Sequence, residues 1–299
     1  MPSLKEIKGR IASVRSTLKI TSAMKLVSSA KLRKAQKAIE AMRPYSAAMQ
    51  DIMDSLLSAG ARLDGISSGG SAVVIVAIAS NSSLCGAFNA NVVRKVRELL
   101  QEYPDAAVYS VGRKVADAMR KLAYPSPEDL NFLAESAVYQ DASALSGRFR
   151  EAFSKGEIGK VILVYNHFES TSRQVTTAET LLPFAVDLNS GALAEDFVPA
   201  AVAEDFAPAA LAGSPDYIFE PSASEILSQL YPKVIDLRFF TALLDSAAAE
   251  HAARTVAMQI ATDNGEDLLG ELTLQYNKSR QQKITSEILD LAGGAAAEV

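Results

Sequence analysis

The 299-residue sequence predicts an α/β fold: long helices at its two ends pair as a two-helix coiled coil, and the segment between them forms a separate α/β domain. Three observations carry this expectation. An apolar heptad seam runs from Leu4 to Leu56, a second runs from Leu230 to Tyr276, and between them buried-type strands alternate with amphipathic helices. The implied organisation is an N-terminal coiled-coil helix over 1–60, a central domain over 61–220 and a C-terminal coiled-coil helix over 221–299.

The first helix opens at Ser3-Leu4-Lys5-Glu6, a capping box in which the Ser and Glu side chains satisfy each other's orphan backbone donors. Steps of alternating threes and fours then meet Leu4, Ile7, Ile11, Val14, Leu18, Thr21, Lys25, Ser28 and Leu32, and continue to Met49, Met53 and Leu56. Such a seam, sustained far beyond three or four heptads, specifies a partner helix. Gly60 ends it, and Pro44, whose ring displaces one backbone hydrogen bond, is a point where the helix can bend.

The last helix opens at a second box, Ser222-Ala223-Ser224-Glu225, directly after Pro221. Its seam passes through Val234, Leu237, Leu244, Ala248, Met258, Leu269 and Leu272, with polar or small interruptions between His251 and Gly265. Ala247, Ala248, Ala249, Ala252 and Ala253 let two helices approach closely, so the pair should be thin there. Helices of roughly 55 and 70 residues at about 1.5 Å per residue would reach about 80 and 100 Å. Each alone would leave a long apolar stripe in water, and pairing the two stripes removes both. Because the central segment can return the chain to its start, an antiparallel intramolecular pair is the economical arrangement. Periodicity alone also permits a parallel homodimer.

Within the centre, AVVIVAIAS at 72–80 reads as a buried strand and NANVVRKVRELL at 89–100 as a helix. A strand near Ala106–Val111, a helix over Arg113–Leu122, a helix around Ala142–Phe153, the strand KVILVYNHF at 160–168 and a strand over Gln174–Leu182 follow. The pattern implies a small Rossmann-like α/β domain with a partly parallel sheet. Residues 188–216 break it: AEDFVPAA at 194–201 is nearly repeated as AEDFAPAA at 203–210. Two copies are too few for a solenoid, and the acidic Ala/Pro-rich composition marks an exposed, tolerated insertion.

Composition excludes several function classes. With 48% hydrophobic and 22% charged residues the chain has the balance of a folded soluble protein. Cys85 is the only cysteine, so no internal disulfide can form, and His167 and His251 with one cysteine cannot build a Cys/His zinc cage. A reducing, cytosol-facing compartment fits. The charged start lacks an apolar signal region, and no segment reads as a membrane span. Charge is divided unevenly: residues 1–50 hold eleven Lys/Arg against Glu6 and Glu40, a balance of +9, while the rest carries −14. A nucleic-acid arm, a helix on an anionic membrane, a helix facing an acidic protein and a merely solvated face all fit this pattern.

Catalytic chemistry finds little footing. SNSSLCGAFN at 80–89 follows a strand and opens a helix, yet it has neither GxGxxG nor GxxxxGK[ST]. Cys85 lacks a basic neighbour in sequence and reads as a buried structural thiol. His167, on a strand, and His251, in the helical seam, read as structural. No carboxylate pair has the spacing and apolar setting of an acid/base couple. The sequence argues against an independent enzyme.

IKGRIASVRSTLKITSAMKLVSSAKLRKAQ at 7–36, RPY at 43–45, EHAARTVAMQIATDNGEDLL at 250–269 and YNKSRQQKIT at 276–285 closely resemble the terminal signatures of ATP synthase gamma chains. SLCGAFNAN at 83–91 is similar to that family's GLCGxxN segment, with Ser83 in place of Gly. The resemblance spans nearly the whole chain and fails chiefly over 188–216. It implies a rotor shaft, without catalytic residues or cofactor of its own. The coiled coil would enter a hexamer of alpha and beta subunits, and the α/β foot would meet epsilon and the membrane c-ring. By motif matching, Met24 would face an acidic beta-subunit lever, followed by Lys25; Arg280 and Gln281 would meet a beta-subunit loop; Arg254, Thr285 and Glu287 would lie on the same coupling surface. The start shows no transit peptide and the single Cys85 cannot form the two-cysteine redox switch of chloroplast gamma chains, so a bacterial chain is expected, peripheral at the cytoplasmic face of the inner membrane, with no nucleic acid or small-molecule substrate bound. A homodimeric scaffold binding nucleic acid through its basic helix is the alternative, and a nucleotide-dependent enzyme built on the α/β domain is a third reading.

Overall fold

The computed structural model describes residues 3–61, 70–183 and 218–297, with side chains to residue 289. Helix α1 is Leu4–Ser58, followed by β1 (Val73–Ile78), α2 (Phe88–Glu102), β2 (Ala107–Val111), α3 (Arg113–Lys121) and α4 (Asn131–Glu135). Then come α5 (Tyr139–Ser154), β3 (Lys160–Phe168), β4 (Gln174–Leu182) and α6 (Ala223–Ala297). The one-turn helix α4 was not expected, because five residues are too few to display a period. The duplicated segment at 188–216 lies outside the described residues.

Both long helices start at the expected caps: the Glu6 backbone N–H donates to Ser3 Oγ at 3.2 Å, and that of Glu225 to Ser222 Oγ at 3.3 Å. Every described position of both heptad seams is buried or half-buried, including Lys25, Ser28 and Thr262. Helix α1 runs unbroken through Pro44, and α6 likewise contains Pro232.

The chain divides into two compact units, Met1–Ser28 with Thr255–Val299, and Ser29–Arg254. In the first, α1 and α6 pair within one chain. Thr262 Oγ1 donates to Thr21 Oγ1 at 3.0 Å, and a Cβ placed on Gly265 would lie 2.7 Å from Leu18 Cδ2. The later residue of α1 meets the earlier residue of α6, so the helices are antiparallel. The seam that a parallel homodimer would need is thus filled by the chain's own second helix. Gly265, an apparent interruption of the heptad pattern, is where the absent side chain admits Leu18.

In the second unit the sheet order is β2-β1-β3-β4. Strand β1 runs parallel to both β2 (Val74 opposite Ala107) and β3 (Val73 opposite Lys160), while β4 is antiparallel to β3 (Asn166 opposite Thr176). Parallel strands covered on both faces need no polar alternation, which explains the continuous apolar run of β1. Its residues still divide by pleat. Ile75 and Ala77 join Val92, Val96, Val115 and Met119 of α2 and α3. Val74, Val76 and Ile78 join Phe149 and Phe153 of α5, Met53 and Leu56 of α1, and Ile235 and Phe239 of α6. Farther along α6, Ala248 and Ala252 are fully buried beside Leu32 of α1, where the small side chains were expected to bring helices close.

Candidate functional site

Helix periodicity decides which side chains of the first unit face outward. Met24 and Lys25 are half-buried on α1, and the apolar neighbours Ile20, Leu26 and Val27 are exposed by 57, 71 and 58%. On α6, Ile260 and Leu274 are also exposed. By the pairing of Thr21 with Thr262, Ile260 lies near the level of Met24. A helix pair gains nothing by showing water this many large apolar groups close together. Their sequence signal was present but unread: they are apolar residues lying off the seam.

Arg280, Gln281, Thr285 and Glu287 are all exposed on the last turns of α6, among the exposed apolar residues Ile284, Ile288 and Leu289. Some 20 residues separate this group from the level of Met24, or about 30 Å along the helix. The expected contact residues therefore form two surfaces rather than one. Arg254 belongs to neither. It is 8% exposed, and in the second unit its guanidinium donates to Glu250 Oε1 at 2.6 Å and to Ser82 Oγ at 2.8 Å.

The charge asymmetry has a structural counterpart. Among the described residues, none of the eleven Lys/Arg side chains in the first fifty residues forms an ion pair. The described residues of the rest of the chain do form ion pairs, among them Arg150 with Asp236 and Arg254 with Glu250. Helix α1 thus presents a row of cations outside direct ion pairs, whose attraction for an acidic surface acts within roughly 8 Å at physiological salt.

The groups that could have served chemistry are engaged structurally. Cys85 is buried, with Asn89 Nδ2 3.1 Å from its sulfur, and Ser80, Ser82 and Asn89 are tied together around it. No cluster of three potential metal ligands occurs among the described residues. No described helix is long and apolar enough to cross a membrane.

The two histidines titrate in opposite directions. His167 on β3 bonds through Nδ1 to Asp245 of α6, while Asp245 also accepts the Phe168 backbone N–H at 3.1 Å. That hydrogen bond raises the imidazole pKa against the opposing cost of burial, with Asp245, Glu169 and Glu179 adding favourable charge. Burial, reinforced by the cations of Arg254 and Lys31, depresses His251 to about 4. A raised folded pKa makes His167 stabilising below its unfolded value near about 6.5, and this contribution is lost as pH rises through the folded value. His251 works against stability in acid, as pH falls from about 6.5 toward 4. Urea unfolding between about pH 6 and 8.5 should show stability declining with pH, and His167→Gln should flatten that decline. An unchanged slope would assign the dependence to other groups.

Comparisons with known proteins place these features. The family model described as ATP synthase matches residues 3–297. The ATP synthase gamma chain of Phocaeicola vulgatus is 48% identical over 305 aligned positions, covering 99% of this chain and 100% of that protein. Those of Bacteroides thetaiotaomicron and Flavobacterium johnsoniae are 45 and 38% identical, each covering 99% of both chains. Among solved structures, a chain of the OSCP/F1/c-ring assembly of Euglena gracilis mitochondrial ATP synthase superposes with a TM-score of 0.65 at 21% identity, covering 98% of this chain and 94% of that one. A chain of the rotor of the same enzyme gives 0.60 at 20% identity, covering 94 and 98%. With full-length relatives at these identities, an antiparallel pair of terminal helices and a central α/β domain, the chain belongs to the ATP synthase gamma chain family.

Proposed function

We propose that the chain is the central rotor shaft of a bacterial F-type ATP synthase, a non-catalytic subunit that couples ion flow through the membrane c-ring to conformational change at beta-subunit catalytic sites. The observation that carries the reading is the outward face of the helix pair in a member of this family: cations along α1 that form no ion pair among the described residues, with exposed Ile20, Leu26, Val27 and Ile260 around Met24 and Lys25. An acidic partner with an apolar border would satisfy both.

A shaft changes the relative energies of its partners' states only if it touches each differently. The Met24 level, basic and apolar, would bear on an acidic beta-subunit lever. The Arg280, Gln281, Thr285 and Glu287 level, polar and apolar together, would meet a different ring of partner residues about 30 Å away. Arg254, buried against Ser82, would support coupling from within the chain rather than by touching the stator. The α/β domain would meet epsilon and the c-ring, holding the chain peripherally at the cytoplasmic face of the inner membrane.

The nucleic-acid scaffold is not supported, since the seam that would dimerise it is occupied within the chain. Coexpression with alpha and beta chains tests the rotor reading. A stable complex with ATPase activity is expected, and its absence, with salt-sensitive DNA binding instead, would refute the reading. In the complete enzyme, with its c-ring and membrane sector reconstituted in sealed vesicles, Met24→Lys adds a further cation at the proposed contact. It should lower ATP-driven ion pumping several-fold more than ATP hydrolysis; equal losses would remove Met24 from the contact.

A further inference from the structure

Helix α6 is fastened to the α/β domain by four polar links in addition to its apolar packing. The Asp236 carboxylate accepts from Ser143 Oγ at 2.8 Å, from Ser146 Oγ and from Arg150 Nη2 at 3.1 Å, all on α5. Arg238 donates to Glu179 of β4, which also accepts the Tyr165 hydroxyl of β3 at 2.9 Å. Asp245 holds both the His167 ring and the Phe168 N–H of β3. Arg254 donates to Ser82, in the loop between β1 and α2, at 2.8 Å. These links span 236–254, about 27 Å of helix, and reach four separate parts of the domain.

Stability alone does not account for them. Asp236, Asp245, Glu179 and Arg254 are all buried, and burying charges costs desolvation that an apolar replacement of similar volume would avoid. Apolar contact is non-directional, so a helix packed only through Tyr231, Val234, Ile235, Phe239 and Leu243 could turn about its axis or slip along it at modest cost. Charge-assisted hydrogen bonds have narrow geometry and resist both motions.

We propose that Asp236, Arg238, Asp245 and Arg254 are positioning residues forming a torsional clamp, which lets α6 and the α/β domain turn together under load. The inference rests on the rotor reading. The clamp adds directional resistance where torque would pass between the domain and the helix. It also gives Arg254 a role that needs no stator contact.

Angular fluctuation of a bead on the α/β domain measures the clamp. The bead is attached through Thr171→Cys, exposed on the β3–β4 turn, in the alpha/beta/gamma complex stalled with a non-hydrolysable nucleotide. The double variant Glu179→Met with Arg238→Met should keep the melting midpoint within a few degrees and unloaded hydrolysis within about twofold. Its angular variance should be about twice that of the parent. Ser82→Ala, which removes one hydroxyl from an exposed loop without disturbing the core, should broaden the distribution by a smaller amount, and Ser82→Thr should restore it. Unchanged variance in Ser82→Ala together with a folded double variant of parental variance overturns the clamp. If the double variant fails to fold, the two Ser82 variants decide alone. Failure of the parent chain to assemble or rotate would instead refute the rotor reading.

Discussion

Gly112→Ala is expected to destabilise the α/β domain by about 3 kcal/mol or more and to prevent normal docking of α3. Gly112 lies between β2 and α3 with φ of +106°, a backbone region that L side chains rarely adopt. A Cβ there would sit 2.2 Å from the Ala79 carbonyl oxygen and 2.7 Å from its carbon, atoms of the neighbouring chain segment after β1. A side-chain tip could move aside, but this obstacle is backbone. Moving it would disturb the Ala79 N–H bond to Val111 O at 2.8 Å and the Lys114 N–H bond to Ser80 O at 3.1 Å. A substantially lower urea midpoint with an unchanged slope, measured on the isolated chain, is the expected result; a midpoint equal to the parent's would show that the segment after β1 can yield.

Phe239→Ala should cost about 3–5 kcal/mol, the range for truncating a fully buried aromatic side chain. Phe239 is fully buried in the cluster that joins α6 to the sheet, α5 and the end of α1. The cavity would open where the long helix packs on the domain, so the loss should fall on global unfolding rather than on local fraying. Hydrogen exchange should therefore accelerate in β1, β3 and α5 together. Acceleration confined to α6 would mean that the helix detaches as a separate cooperative unit.

These two sites differ in how much of them could be read beforehand. The Phe239 environment follows from an apolar helix beside apolar strands, and the existence of such a core was expected. The Gly112 contact depends on β1 and β2 lying side by side in parallel, a pairing between segments some 30 residues apart. The strand boundaries of β3 and β4 coincide with those expected from alternation and turn residues. The one-turn α4 gave no periodic signal to detect. At the candidate surfaces, motif similarity singled out Met24 and Arg280 but could not distinguish them from Arg254. All three are polar or flexible side chains on helices, and burial is a property of the neighbours that folding supplies.

Sequence periodicity by itself determined that the ends of this chain form two long amphipathic helices, because a 3.5-residue repeat leaves a continuous apolar stripe that needs a partner. The terminal motifs determined the family to which those helices belong. Only the tertiary structure decided that the partner is the same chain in antiparallel register, with Thr21 opposite Thr262 and Leu18 against Gly265. It also decided which charges remain outward: among the described residues the cations of the first fifty positions form no ion pair, while Arg254, Asp236 and Asp245 of α6 turn inward to Ser82, Arg150 and His167. A helical repeat specifies the direction of a side chain only relative to its own axis. Which neighbours lie in that direction is set by the long-range packing of the other elements.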